Sequence, residues 1–212
     1  PPNFPDGQAK GIPFNEHYPS LGSIISRELG HRGAVPPYIE VPEPMGPGGP
    51  GFYGPQYAPF TVENDPVDPA FEVRDLNTAQ GIDAERFSRR NALRSRADEL
   101  GAGGKSSGKA TTLKTYYEKA LQLVTSPEAR KAFRIQDEND KVRQRYGLTS
   151  IGQCSLLGRR LVEAGARFIG ISHGSWDTHV DNFTGHQKAL VPPTDQAFSA
   201  LVEDLEQRGM LD

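Results

Sequence analysis

The chain is 212 residues long, room for one large domain or two small ones, and carries a formal net charge of −3. Charged residues make up 24% of it, so nothing in the electrostatics argues for binding nucleic acid or an anionic membrane, and no apolar run approaches the roughly 20 residues of a membrane helix. The hydrophobic fraction is only 35%, against 23 Gly and 18 Pro, which predicts a core concentrated in a few segments with much irregular chain between them.

Residues 1–80 read as a Pro/Gly-rich segment. It opens "PPNFPDGQAK", without an initiator Met or a signal sequence, and the chain stops at "RGMLD". Both ends read as those of a piece of a longer protein, so targeting is not legible here. "PSLGSIISRELG" predicts a short helix capped by Ser20, with Leu21, Ile24 and Ile25 as its apolar face and Gly30 as its stop. "YIEV" predicts a short strand. The stretch "VPPYIEVPEPMGPGGPGFYGPQYAPF" excludes helix, because Pro removes donors and Gly loosens the backbone. Its aromatics Tyr38, Phe52, Tyr53, Tyr57 and Phe60 argue for an ordered segment lying over the rest of the protein.

Residues 81–147 read as helical. "DAERFSRRNALRSRADELG" has Asp83 as a cap and Gly101 as a stop; its five arginines are interleaved with acids and read as a solvated face. "GGKSSGKA" approaches a phosphate-binding loop with Gly103, Gly108 and Lys109. Ala110 stands where a hydroxyl would hold magnesium and no strand precedes it, so a flexible linker is the better reading. Leu113, Tyr116, Tyr117, Ala120, Leu121 and Val124 then recur at helical spacing. Ser126-Pro127-Glu128 is a helix start with Pro at the first helical position, and "NDKVRQRYG" adds a turn ending at Gly147.

Residues 148–212 are the most regular. Thr149 or Ser150 caps a helix to about Ala164, with Leu156, Leu157, Leu161 and Val162 inward and Gly165 closing it. Cys154, the single cysteine, excludes an internal disulfide and sits in this apolar pattern as a buried structural thiol. "RFIGIS" is continuously apolar, the pattern of a strand buried on both faces of a parallel sheet. Pro192 and Pro193 open a last helix with Ala197, Phe198, Leu201, Val202 and Leu205 inward, ending at Gly209. Helix, buried strand, helix is the order of an α/β layered fold.

Between that strand and that helix lies a loop of about 20 residues, long enough to suggest function, at the carboxyl end of a strand, where α/β sheets place ligands. Asp177 and His179 are two apart, so in extended chain both side chains fall on one side. A carboxylate oxygen beside an imidazole nitrogen suits zinc, manganese or iron. His173 and His186 are further candidates as ligands or substrate-positioning groups, and Asn182 as a residue that holds an anion or orients a ligand. A reading of equal weight makes Asp177 a turn cap, His179 a solvated residue and Trp176 a packing anchor, and the residues alone leave both open.

The blocks "PSLGSIISRELG", "VPPYIEVP", "GFYGPQYAPF", "FEVRDL", "LVTSPEARKAF", "VRQRYG", "GQCSLLGRRLVEAGARFI", "WDTHVDNF" and "LVEDLEQRGMLD" occur in that order. In them the chain, from about Phe14 to Asp212, resembles the bacterial family of the domain of unknown function fifteen-oh-one, which is sulfatase-like and placed in the alkaline phosphatase superfamily. The resemblance implies a fragment of an α/β/α sandwich with a mostly parallel sheet and a divalent-metal centre at the strand ends. It implies hydrolysis of small-molecule or glycan phosphate or sulfate esters, and export to the periplasm or cell envelope. Asp177 and His179 match the family's Asp-Thr-His and become its metal ligands, with zinc foremost among manganese, iron, magnesium and calcium. Asn182 matches a frequent Asn of the same loop. Ser175 stands where the family usually has a second Gly, a difference of small expected consequence. The family's Gly-Glu-Phe-Gly-Arg and Arg-Asp-His-Trp blocks are expected beyond Asp212 and its early acidic ligand before Pro1, so no Ser or Thr here is named as nucleophile. The alternative is a non-catalytic superfamily member serving as an envelope binding or structural protein.

Overall fold

The computed structural model describes residues 18–45, 49–73, 76, 86, 89, 90, 92–94, 96 and 123–211. Of the predicted helix from Asp83 to Gly101, residues 86, 89, 90, 92–94 and 96 are described and are helical, while the Gly103–Lys109 linker and the Leu113–Leu121 face lie outside the described residues.

Helix α1, Leu21–Leu29, starts as the sequence predicts: the Ser20 hydroxyl accepts from the Ser23 amide at 3.2 Å, and Gly30 ends it at φ 60°. Its buried face is not the predicted one. Gly22, Ser23 and Ser26 face inward, while Leu21 is 62% exposed and Ile24 is exposed as well. The reason is close approach: a Cβ on Gly22 would lie 2.4 Å from the Tyr38 ring. Small residues let the helix backbone settle onto that ring, and the Ser23 hydroxyl is satisfied by the Gly49 carbonyl at 3.0 Å.

"YIEV" forms strand β1, Tyr38–Val41, and all four of its residues are buried. With β2, Phe60–Thr61, and β3, Phe168–Ile171, it makes a three-stranded parallel sheet in the order β2-β1-β3. Ile39 sits opposite Phe60 on one side and Ile169 on the other. This corrects two expectations. The Pro/Gly-rich segment does not merely lie over the core but supplies the sheet's central strand. "RFIGIS" is an edge strand, in which Gly170 alone is fully buried. An apolar run marks burial but not position, since either a central or a well-covered edge strand produces it. Parallel strands need a crossover, and β1 reaches β2 through two 3-10 turns, Gly51–Tyr53 and Pro55–Tyr57. Edge-to-face contacts of Tyr53 with Phe52 and Tyr57, at 5.0 and 6.1 Å, and the Arg27 guanidinium 4.2 Å over Tyr53, hold this crossover.

The helices end where their caps predict. In α2, Pro127–Phe133, the Ser126 hydroxyl accepts from the Ala129 amide. Helix α3, Asp140–Tyr146, runs from Asn139 to Gly147 at φ 91°, and α4, Ser150–Glu163, begins at Thr149. Leu156, Leu157 and Leu161 of α4 are fully buried in the main core with Val35, Ile39, Val41 and Tyr146. Gly165, at φ 109°, abuts Gly33 so closely that a Cβ would lie 2.6 Å from the Gly33 nitrogen. Cys154 is buried, as expected, and burial pushes its thiol up to about 12, so no thiolate forms at neutral pH.

The last helix, α6, spans Val191–Gln207. Ala197 faces inward, but Phe198 is 66% exposed, and Ala200 and Asp204 are buried instead. Asp204 is held there by Arg159 of α4, which is 2% exposed and ion-paired to Asp204, Glu138 and Glu163 at 3.0, 3.1 and 2.7 Å. The Tyr146 hydroxyl donates to Asp204 at 2.9 Å, and Arg208 pairs with Asp204 and Glu163. Burial pushes the Asp204 carboxyl up, but bonds from Arg208 and Tyr146 and the Arg159 charge outweigh it and hold it below the ordinary value. Leu201 packs against the core as predicted, and this charged cluster adds a second bond between α3, α4 and α6 that the apolar pattern does not show.

Candidate functional site

The ends of β1 and β3 are tied together just before the loop. The Ser172 amide donates to the Val41 carbonyl, and the Ser172 hydroxyl to Glu43 Oε1, both at 2.9 Å. The irregular stretch is shorter than predicted. Helix α5, Asn182–Gly185, and a π turn, His186–Leu190, lead directly into α6, which leaves Ser172–Asp181 as the loop. The widened turn follows from Pro192 and Pro193, which have no N–H to offer the carbonyls four residues back.

Two non-glycine residues among those described have a left-handed backbone, Ser175 at φ 69° and Asp181 at φ 54°, and they bracket Trp176–Val180. Such a conformation costs a serine about 1–2 kcal/mol and an aspartate less, and strain of this kind concentrates at functional sites. Ser175 therefore matters more than expected, because glycine would hold the same turn without that cost.

Within the bracket the chain is not extended but turns tightly at Asp177, where the Thr178 amide donates to the Trp176 carbonyl at 3.0 Å. Asp177 and His179 fall together, His179 Nδ1 lying 3.5 Å from the Asp177 carboxylate and 3.3 Å from its carbonyl. Both side chains are exposed, at 94% and 78%. The other flank grips the fold. Thr178 Oγ1 meets His186 Nε2 at 3.1 Å, and the Trp176 ring sits between His173, at 5.7 Å and 81°, and His186, at 5.5 Å and 50°. Trp176 remains 40% exposed. The structure thus brings Asp177 to His179, but puts His173 and His186 in contact with Trp176. Asn182 is exposed in the first turn of α5. His173 Nε2 is buried without a hydrogen-bond partner.

A family model described as "Protein of unknown function (DUF1501)" matches residues 3–212. The chain belongs to this family. No curated protein and no solved structure matches it.

For this DUF1501 chain the donor chemistry fits part of a metal shell. One carboxylate and one imidazole converge, whereas a catalytic zinc takes three protein ligands, and among the described residues no third His, Cys, Asp or Glu joins them. Two acids near the strand ends escaped the sequence reading. Glu40 is fully buried on β1, accepts from the Tyr38 hydroxyl, and has its Oε2 without a hydrogen-bond partner. Burial and Glu40 together push that hydroxyl's pKa up. Glu43 receives Ser172 just beyond the strand. The available signal was an acid placed inside the apolar "YIEV", on the same side of the strand as Tyr38.

Proposed function

We propose that this DUF1501 chain is part of a metal-dependent, sulfatase-like hydrolase of the alkaline phosphatase superfamily, acting on small-molecule or glycan phosphate or sulfate esters in the periplasm or cell envelope. The observation that carries the reading is the pairing of Asp177 with His179 on an exposed loop, at the carboxyl end of a parallel strand, strained at both ends. Asp177 and His179 are the proposed metal ligands, with zinc the foremost ion. His173, Asn182 and His186 are accessory residues, and the alkaline-phosphatase-like sandwich is the proposed setting. A bound ion supplies charge stabilisation for the transferred phosphoryl or sulfuryl group and activation of a nucleophile. The chain's own residues set the geometry. The Asp177 carboxylate lies 3.5 Å from His179 Nδ1, about the separation of two ligand atoms on one tetrahedral ion. Thr178, Trp176 and His186 pin the opposite flank, so the pair presents to solvent from a fixed base.

The competing reading, a non-catalytic envelope protein, is favoured by the absence of a third ligand among the described residues. Metal analysis and phosphate- and sulfate-ester assays of the full-length protein, as wild type and with Asp177→Ala or His179→Ala, separate the two, since two ligands alone are too few for a closed site. Metal and hydrolysis lost together in both variants support the hydrolase. Metal bound through these residues without hydrolysis of either ester supports the non-catalytic protein. Metal content that neither substitution alters sinks the ligand assignment.

A further inference from the structure

A cleft of about 630 Å³ opens between residues 69–73 and 76 and helix α2, within the roughly 300–1,000 Å³ range of small-molecule sites. It lies beyond the β2 edge of the sheet, where Phe60 packs on Phe133 at 5.9 Å, whereas the Asp177 loop leaves from the β3 edge. Its floor is apolar, formed by Phe71, Leu76 and Phe133, all buried, with Val73 beside them. Gln136 Nε2 donates to the Phe71 carbonyl at 2.9 Å and ties the two walls together.

The rim is charged, with two arginines and one acid. Arg130 and Arg134 stand one helical turn apart at the cleft, with Glu72 an acid in the same lining. Arg134 is committed to Asp137 at 3.2 Å, but Arg130, half-buried, has no ion-pair partner among the described residues. A guanidinium beside an apolar floor matches one kind of molecule: an apolar body with a single planar anionic head, which the fork can receive through two N–H donors.

We propose that this cleft binds a small amphiphilic monoanion, an acyl or aryl carboxylate. Its tail lies on Phe71, Leu76 and Phe133, and its carboxylate on the Arg130 guanidinium. The site is independent of the Asp177–His179 pair. The test is calorimetric titration of the chain with octanoate and with octan-1-ol, which shares the tail and lacks the charge. Octanoate is expected to saturate a single site, and octan-1-ol to bind weaker by about tenfold or more. Arg130→Ala and Arg130→Gln are expected to reduce octanoate to the level of the alcohol, with circular dichroism unchanged in at least one of them and zinc uptake as in the wild type. No saturable octanoate binding, equal affinity for acid and alcohol, or octanoate affinity unchanged in a folded Arg130 variant would each overturn the proposal.

Discussion

The chain holds acids and bases in two contrasting settings. Around Arg159 they are mutually committed: the buried Arg159 and Asp204, the more exposed Glu138 and Glu163 and the Tyr146 hydroxyl, from three helices and the turn before α3. Around Asp177 they are exposed and largely uncommitted, on a loop whose other flank does the holding. The first arrangement has already used its charge on the fold, because a buried carboxylate without its counter-ion is too costly to keep. The second has left its lone pairs facing solvent, where an outside ligand can meet them. Similar residue types therefore serve architecture in one place and are available for chemistry in the other.

Substitutions should break this contrast in order of size. Arg159→Ala removes the cation that Asp204 and Glu138 share but leaves Arg208 on Asp204 and Arg160 on Glu138, and is expected to lower unfolding free energy by about 1–3 kcal/mol in urea denaturation. Acid should reach the same cluster. Asp204 and Glu138 are both held below the ordinary carboxylate range, so the unfolded chain takes up protons first as pH falls. Their contribution is complete above about pH 5 and is lost as pH drops through their lower folded values. The thermal midpoint should fall steeply there in the wild type and less steeply in Arg159→Ala; equal slopes would show that the cluster is not the acid-sensitive element.

The loop should respond in the opposite way. Ser175→Gly removes the left-handed strain and is expected to raise stability by about 1 kcal/mol; a loss would mean that the serine side chain holds the turn. Asp177→Ala should change unfolding free energy by no more than about 0.5 kcal/mol, while abolishing zinc uptake measured by equilibrium dialysis. A large stability loss would make Asp177 a structural residue like Asp204.

Local chemistry made much of this legible. Ser126-Pro127, Asn139, Thr149, Gly147 and Gly165 mark helix ends because each satisfies or terminates a backbone ladder within a few residues. Asp177 and His179 do fall together, but in a tight turn and not in the extended chain that their spacing predicts. What escaped was set by distant partners. Nothing near Gly22 announces that Tyr38 will lie against it, and nothing near Asp204 names Arg159. The apolar-face rule failed at both places for the same reason: a close backbone approach or a buried ion pair makes a small or charged residue the inward one. The Arg159–Glu163 and Asp204–Arg208 spacings were visible one helical turn apart, but each reads equally well as a solvated pair.

Trp176, wedged between two imidazoles, is also the chain's single tryptophan. The indole emission of the unlabelled protein therefore comes wholly from the candidate loop. Its colour and intensity report on one ring, next in sequence to Asp177 and packed against His186, which anchors the far side of the loop. The molecule carries its own optical gauge at the place where a ligand would matter most, with no second indole to blur the reading.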